Sequence, residues 1–288
     1  MNLERQTLVR RALRALPLAG LLAALALAGG CAPQPPSQES VEMAAYHDVP
    51  DSAWAALRGK RIWFGHQSVG GNIMQGVAEL VAGDPKLGLV IGEGAPPESG
   101  AAFTHALVGK NGDPGLKTAD FARVLEDGAG ARVDIAFHKY CYADVFDTTD
   151  AGRVFANYRD TMARLKQEYP NVVFVHVTAP LTRVQAGPVA TLKKLLGKAP
   201  GRYPSNFVRE RYNQLLRAEY AGREPVFDLA AVESTRPDGS RETIALGSRK
   251  GFALYPGWTD DGSHLNAAGR RRAAEALLAV LAGAAAPR

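Results

Sequence analysis

Two short stretches near opposite ends of the chain hold residues suited to acyl transfer. Ser68 lies in Gly65-His66-Gln67-Ser68-Val69-Gly70-Gly71-Asn72, and His264 lies in Asp260-Asp261-Gly262-Ser263-His264-Leu265-Asn266. Attack on an ester needs a hydroxyl, an imidazole to take its proton, a carboxylate to fix the imidazole's tautomer, and N–H donors around the developing oxyanion. Ser68 can supply the hydroxyl and His264 the base. Asp261, three residues earlier across a glycine turn, can orient the ring, with Asp260 as the adjacent alternative. The plainer readings are a serine that caps the helix after it and an ordinary helix-entry turn. Cys141 is a second candidate nucleophile, although buried thiols are commonly inert. His66, His105, His138 and His176 show no metal-ligand spacing, so neither a metal nor another cofactor is expected.

The elements that must carry these residues follow from periodicity. Ile73, Val77, Leu80 and Val81 recur at helical spacing and predict a helix over 71–82. Val154, Tyr158, Met162 and Leu165 predict a second, Val208, Tyr212, Leu215 and Leu216 a third, and Ala274, Leu277, Leu278 and Leu281 a terminal one. A further helix carries Phe121, Val124 and Leu125, and a short one after Pro50 carries Trp54 and Leu57. Strands are expected at 61–64, 87–91, 133–137, 172–178 and 226–229, the fourth apolar enough to be buried on both faces. Such alternation predicts a three-layer α/β/α sandwich with a mostly parallel, flavodoxin-like sheet of about five strands. Ligands bind such sheets beyond the carboxyl ends of the strands. Ser68 stands there after the first strand, as does a polar turn, Val108-Gly109-Lys110-Asn111-Gly112-Asp113-Pro114.

On these residues the chain resembles the SGNH (GDSL-type) hydrolase superfamily, in which the nucleophilic serine follows the first strand and Asp-x-x-His precedes the last helix. The likeness runs over residues 60–282 and is specific at its two ends. It implies Ser68, His264 and Asp261 as a triad, and the Gly112 N–H with Asn111 as oxyanion donors. The family's Gly-Asp-Ser is here one residue longer, Gly65-His66-Gln67-Ser68. Its Gly-x-Asn after the third strand is replaced by His138-Lys139-Tyr140-Cys141-Tyr142-Ala143-Asp144. Asn111, Lys139 or a tyrosine hydroxyl would have to stand in for that asparagine, whose loss otherwise costs about 10²- to 10³-fold in rate. Gln67, Lys139 and Tyr142 are the residues placed to touch substrate. The resemblance implies a serine esterase or deacylase acting on carboxylic esters, O-acetyl groups on carbohydrate among them. The alternatives are an O-acyltransferase of the same geometry and a catalytically silent binder of carbohydrate or another ligand. An α/β-hydrolase is disfavoured because Gly-x-Ser-x-Gly is absent around Ser68.

The remaining features bear on location and partners. Of the net charge of +5 over 288 residues, three charges fall in the first thirty, where Arg5, Arg10, Arg11 and Arg14 face only Glu4. That stretch continues as an apolar run to Ala28, too short to span a bilayer comfortably, and ends at Gly29-Gly30-Cys31. It resembles the signal peptide and lipobox of bacterial lipoproteins, with residues 1–30 removed and Cys31 lipidated; Ala32 in place of Asp implies outer-membrane sorting in a Gram-negative envelope, facing the periplasm. Residues 31–46, rich in Pro, Gln, Ser and Glu, read as a tether, and 47–288 as the domain. If Cys31 carries lipid, Cys141 has no disulfide partner. Between Arg183 and Arg211 seven basic residues face a single acid, Glu210. That is ordinarily a solvated face, and if functional it favours anionic polysaccharide, lipid headgroups or the membrane itself. The expected partners are an ester-bearing small molecule or polysaccharide and, through the lipid, a membrane; no motif supports nucleic-acid binding.

Overall fold

A computed structural model describes residues 46–286. The expected signal peptide, Cys31 and all of the tether except Tyr46 lie outside the described residues.

Alternation along β1 (Arg61–His66) sets the layers: Ile62 and Phe64 enter one core, Trp63 the other. On the Ile62 side pack α1 (Asp51–Arg58), α2 (Val69–Gly83) and α8 (Ala267–Ala285). The Trp63 side is covered by α3 (Pro114–Val124), α4 (Ala151–Glu168) and α6 (Tyr203–Tyr220). The periodic stripes are largely the buried faces here: Tyr158, Met162 and Leu165 on α4, where Phe155 rather than the half-buried Val154 completes the face, and Ala274, Leu277, Leu278 and Leu281 on α8. The three-layer α/β/α architecture is as expected.

The sheet is parallel in the order β2-β3-β1-β4-β5, formed by β2 (Ile91–Glu93), β3 (Ala102–Leu107), β1, β4 (Ile135–His138) and β5 (Val173–Phe174). Past Val175 the same chain becomes β6 (His176–Val177) and pairs in parallel with β7 (Val226–Phe227). The apolar run 172–178 is therefore not one uniform strand. Its first half bonds β4, the Val175 N–H reaches the Ala136 carbonyl at 3.3 Å, and the His176 N–H then turns to Pro225 on the other side at 2.9 Å. Apart from β2 on the edge, the order β3-β1-β4-β5/β6-β7 is flavodoxin-like.

Two strand expectations need correction. The second strand is not 87–91 but Ile91–Glu93, because Leu87 enters the core from a turn. β3 was not expected at all, since of Ala102-Phe103-Thr104-His105-Ala106-Leu107 only Phe103 is buried and no apolar alternation marks it. A β-hairpin, β8 (Thr243–Leu246) and β9 (Arg249–Phe252), also went unforeseen; it packs Ile244 on Phe207 of α6. The described residues also include the short α-helices α5 (Pro188–Leu195) and α7 (Leu229–Ser234).

Candidate active site

The first strand delivers Ser68. β1 ends at His66, α2 begins at Val69, and the chain turns between them with Ser68 at φ 48°, ψ −106°, a conformation that non-glycine residues rarely adopt. Space for the turn comes from Gly70, where an added Cβ would lie 2.4 Å from the His66 Cβ. Ser68 does not cap α2: its side chain makes no cap bond, and Oγ lies 2.6 Å from His264 Nε2. The capping interpretation is thereby excluded. Beneath the turn, burial lowers the His66 pKa to about 3, with the Lys139, His105 and Lys117 charges acting in the same direction. His66 is thus a neutral ring, with Nε2 2.9 Å from His105 Nδ1.

The other half of the site is a self-bonded turn before α8. Asp261 Oδ1 accepts the Ser263 N–H at 2.7 Å and the His264 N–H at 2.8 Å, while Oδ2 lies 2.6 Å from His264 Nδ1. These bonds, led by the backbone and ring donors of His264, hold the Asp261 carboxyl well below the ordinary carboxylate range. With Oδ2 accepting from Nδ1–H, Nε2 is left as the acceptor for the Ser68 hydroxyl. Thr259 Oγ1 accepts the Gly262 N–H at 2.9 Å, and Asn72 Oδ1, on the first turn of α2, accepts the Leu265 N–H at 3.3 Å. That last bond ties the histidine turn to the serine helix, and α2 and α8 pack side by side through Ile73, Val77, Ala274 and Leu277. Asp260 points elsewhere, accepting from Asn266 Nδ2 at 3.3 Å. Cys141 is wholly buried, which removes it as a nucleophile.

The expected oxyanion and substrate residues divide. Tyr142, following β4, stands against the triad, its ring 5.6 Å from that of His264 and nearly perpendicular. Burial raises its phenol pKa, and the adjacent Ser263 and Ser68 hydroxyls draw it back. Lys139, three residues earlier, is 1% exposed and donates to the Tyr140 carbonyl at 3.1 Å, so it does not face substrate. The Gly112 N–H, assigned by resemblance to the oxyanion, is instead bound to Asp144 Oδ1 at 2.8 Å. Asp144 sits in the floor with no exposed side chain, paired to Lys117 at 2.6 Å, and its charge collects the N–H groups around it. Asn111 Oδ1 accepts from the same Lys117 at 2.8 Å, leaving its Nδ2 unbonded at the surface. Gln67 Nε2 is spent on the Val108 and Gly109 carbonyls, 3.2 Å each, and braces the loop rather than facing outward. The Ser68 N–H makes no hydrogen bond among the described residues and opens at a helix N-terminus, where the dipole favours negative charge.

No protein-family model matches this chain, and no curated protein does. Solved structures do. A Streptococcus pneumonia protein provisionally described as a platelet activating factor matches over 81% of this chain and 92% of its own, at 14% identity and a TM-score of 0.44. A Parabacteroides merdae protein, provisionally a GDSL-like lipase, matches over 77% and 95%, at 14% identity and 0.45. A peptidoglycan O-acetylesterase matches over 64% of this chain and 47% of its own, at 14% and 0.41. At such identities and scores, function has to be read from the chain's own site.

That site is open. His264 and Asp261 expose 41% and 55% of their side chains, and a cleft of about 410 Å³ runs beside Asp261, lined by Arg183, Gln185 and Arg202 among others. Arg202 Nη1 donates to the Gly262 carbonyl at 2.7 Å and to Ser263 Oγ at 3.1 Å, and the Arg183 N–H reaches the same carbonyl at 2.9 Å. Arg209 is buried and donates to the Tyr142 carbonyl at 2.7 Å, positioning that loop from below. The basic run 183–211 is therefore not one solvated face: part of it braces the site. Sequence reading missed Asn72, Thr259, Arg202 and Arg209 as supports. Only Asn72, one helical turn beyond Ser68, carried a local signal.

Proposed function

We propose that this chain is a serine esterase or deacylase of the SGNH type, and the observation that carries the proposal is the unbroken relay Ser68 Oγ, His264 Nε2, His264 Nδ1, Asp261 Oδ2, each contact 2.6 Å. The Ser68 oxygen attacks the ester carbonyl while His264 Nε2 takes its proton. Negative charge then gathers on the carbonyl oxygen, where the free Ser68 N–H and the Tyr142 hydroxyl are the donors at hand. His264 returns the proton to the departing alcohol, leaving an acyl-serine. Water, deprotonated by the same ring, attacks the acyl group and releases the carboxylic acid and Ser68. The strained Ser68 backbone supports a working site over silent binding, because strain of about 1–3 kcal/mol persists where geometry must be held. Openness around His264 suits a small acyl group borne on a large molecule, such as O-acetyl on carbohydrate.

Ser68→Ala should abolish turnover of p-nitrophenyl acetate and labelling by a fluorophosphonate, since both require that oxygen. Wild type showing neither, beside an active control esterase, would sink the enzyme reading. A variant with full activity would sink the site. We place the protein in the bacterial envelope, held by lipid on Cys31 and, in a Gram-negative cell, facing the periplasm from the outer membrane. Metabolic acyl labelling should mark the wild type and not Cys31→Ser; equal labelling of both would refute the anchor.

A further inference from the structure

Among the described residues, four of the eight strongly exposed large apolar side chains fall within eight consecutive positions: Val189 at 58%, Leu192 at 57%, Leu195 at 79% and Leu196 at 63%. They belong to α5 and its C-cap. At about 100° per residue the four share one arc of roughly 120°, while Ala190, on another side, is the helix's only buried residue. A surface helix ordinarily turns its apolar stripe inward; α5 turns it to solvent. Eight residues with a glycine N-cap and no side-chain cap bond make a helix too short to hold itself by propensity. Among the described residues nothing covers the leucine face.

Its charge selects the partner. From Arg183 to Arg209 the chain contains no acidic residue, and Lys193, Lys194 and Lys198 flank the leucines. Lys194 and Lys198 are exposed, and Lys193 Nζ donates to Gln185 Oε1 at 2.8 Å. A second copy docking face to face would set these cations against their own kind. A leucine face rimmed by lysines instead matches the interface of an anionic bilayer, with apolar side chains entering the headgroup boundary and ammonium groups meeting phosphates. We propose that α5 docks this domain on an anionic lipid surface. Gln185, which receives Lys193 and the Gly201 N–H, also lines the cleft beside Asp261, so docking through α5 brings that cleft to the membrane. The inference rests on α5 alone, and its test needs no turnover, so it stands or falls separately from the esterase reading.

The test uses the full chain carrying Cys31→Ser, with Leu195→Cys bearing an environment-sensitive nitrobenzoxadiazole label; Cys141 is buried. A control label goes on Ala82→Cys, exposed at the end of α2 remote from Ser68. With vesicles of phosphatidylethanolamine and phosphatidylglycerol, emission at position 195 should shift to the blue and brighten several-fold, with position 82 unchanged. Phosphatidylcholine vesicles should give little response. Lys193→Glu/Lys194→Glu/Lys198→Glu, with an unchanged melting temperature, should weaken the response about tenfold or more. No response at 195 to the anionic vesicles overturns the proposal, as does an equal response to phosphatidylcholine. It also falls if the label is already blue-shifted without lipid, or shifts with protein concentration alone, since the face would then be covered by the chain itself or by a second copy.

Discussion

Asp261→Asn perturbs the relay at one proton and little else. Oδ1 already accepts two backbone N–H groups, at 2.7 and 2.8 Å, and an asparagine carbonyl oxygen in that place keeps both, so the turn persists. The amide NH2 then faces His264 Nδ1 where a carboxylate oxygen stood at 2.6 Å. A donor there makes Nδ1 the acceptor and moves the ring proton to Nε2. Nε2 then offers a proton to Ser68 instead of taking one. In a buried serine-protease triad the equivalent change costs about 10⁴ in kcat, on the order of 5 kcal/mol of transition-state stabilisation. Asp261 is 55% exposed, so water can compete for Nδ1 and part of the ring population can recover; the expected loss is therefore about 10²- to 10⁴-fold. The assay is kcat and KM on p-nitrophenyl acetate, with the fluorophosphonate labelling rate measured in parallel. Labelling should fall with kcat, because both need Ser68 deprotonated, and KM should move little, because the carboxylate does not touch the ester. A folded variant within about threefold of wild type would refute the relay. Asp260→Asn showing the larger loss would transfer the orienting role.

Tyr142→Phe should lower kcat by about 10- to 10²-fold with KM nearly constant, since the hydroxyl beside Ser68 is a donor needed only when the oxyanion forms; unchanged kcat would return that role to Asn111 or to backbone N–H alone. Glu233→Gln should change how stability depends on pH. Burial raises the Glu233 pKa to about 8, against the pull of the Leu181 N–H and the Lys139 and Arg209 charges. The folded state then binds the proton more tightly than the unfolded chain, so wild type loses stability as pH rises from about 5 to about 8. The melting-temperature difference should move in the variant's favour across that window, and a difference that stays flat would refute the shift.

Local spacing carried much of the fold. The stripes of α4, α6 and α8 were legible because burial of one helical face forces apolar residues to recur every three or four positions. β1 and β4 were legible as apolar runs. β3 was not, because a strand that buries one phenylalanine leaves no pattern, and its place between β2 and β1 is set by backbone pairing on both sides, with Phe103 in the core and His105 against His66. The leucines of α5 are a periodic stripe too, but periodicity says that a helix has an apolar side and not whether the rest of the molecule covers it.

The same division runs through the site. Asp261 and His264 were readable together because three residues across a glycine turn bring one side chain back onto the other whatever the rest of the chain does. Ser68, 196 residues from His264, meets it only because α2 and α8 pack together on one face of the sheet. Residue types named Asn111, Lys139 and Tyr142 equally as stand-ins for the missing asparagine; the path of the loop after β4 buries Lys139 and turns Tyr142 to the triad. Gly112 had the right type and spacing, yet its N–H is held by Asp144, 32 residues away. Sequence by itself determined which groups could react and which turns could form. Tertiary structure decided which donors stay free, because a buried charge such as Asp144 binds the N–H groups nearest in space, however far along the chain they lie.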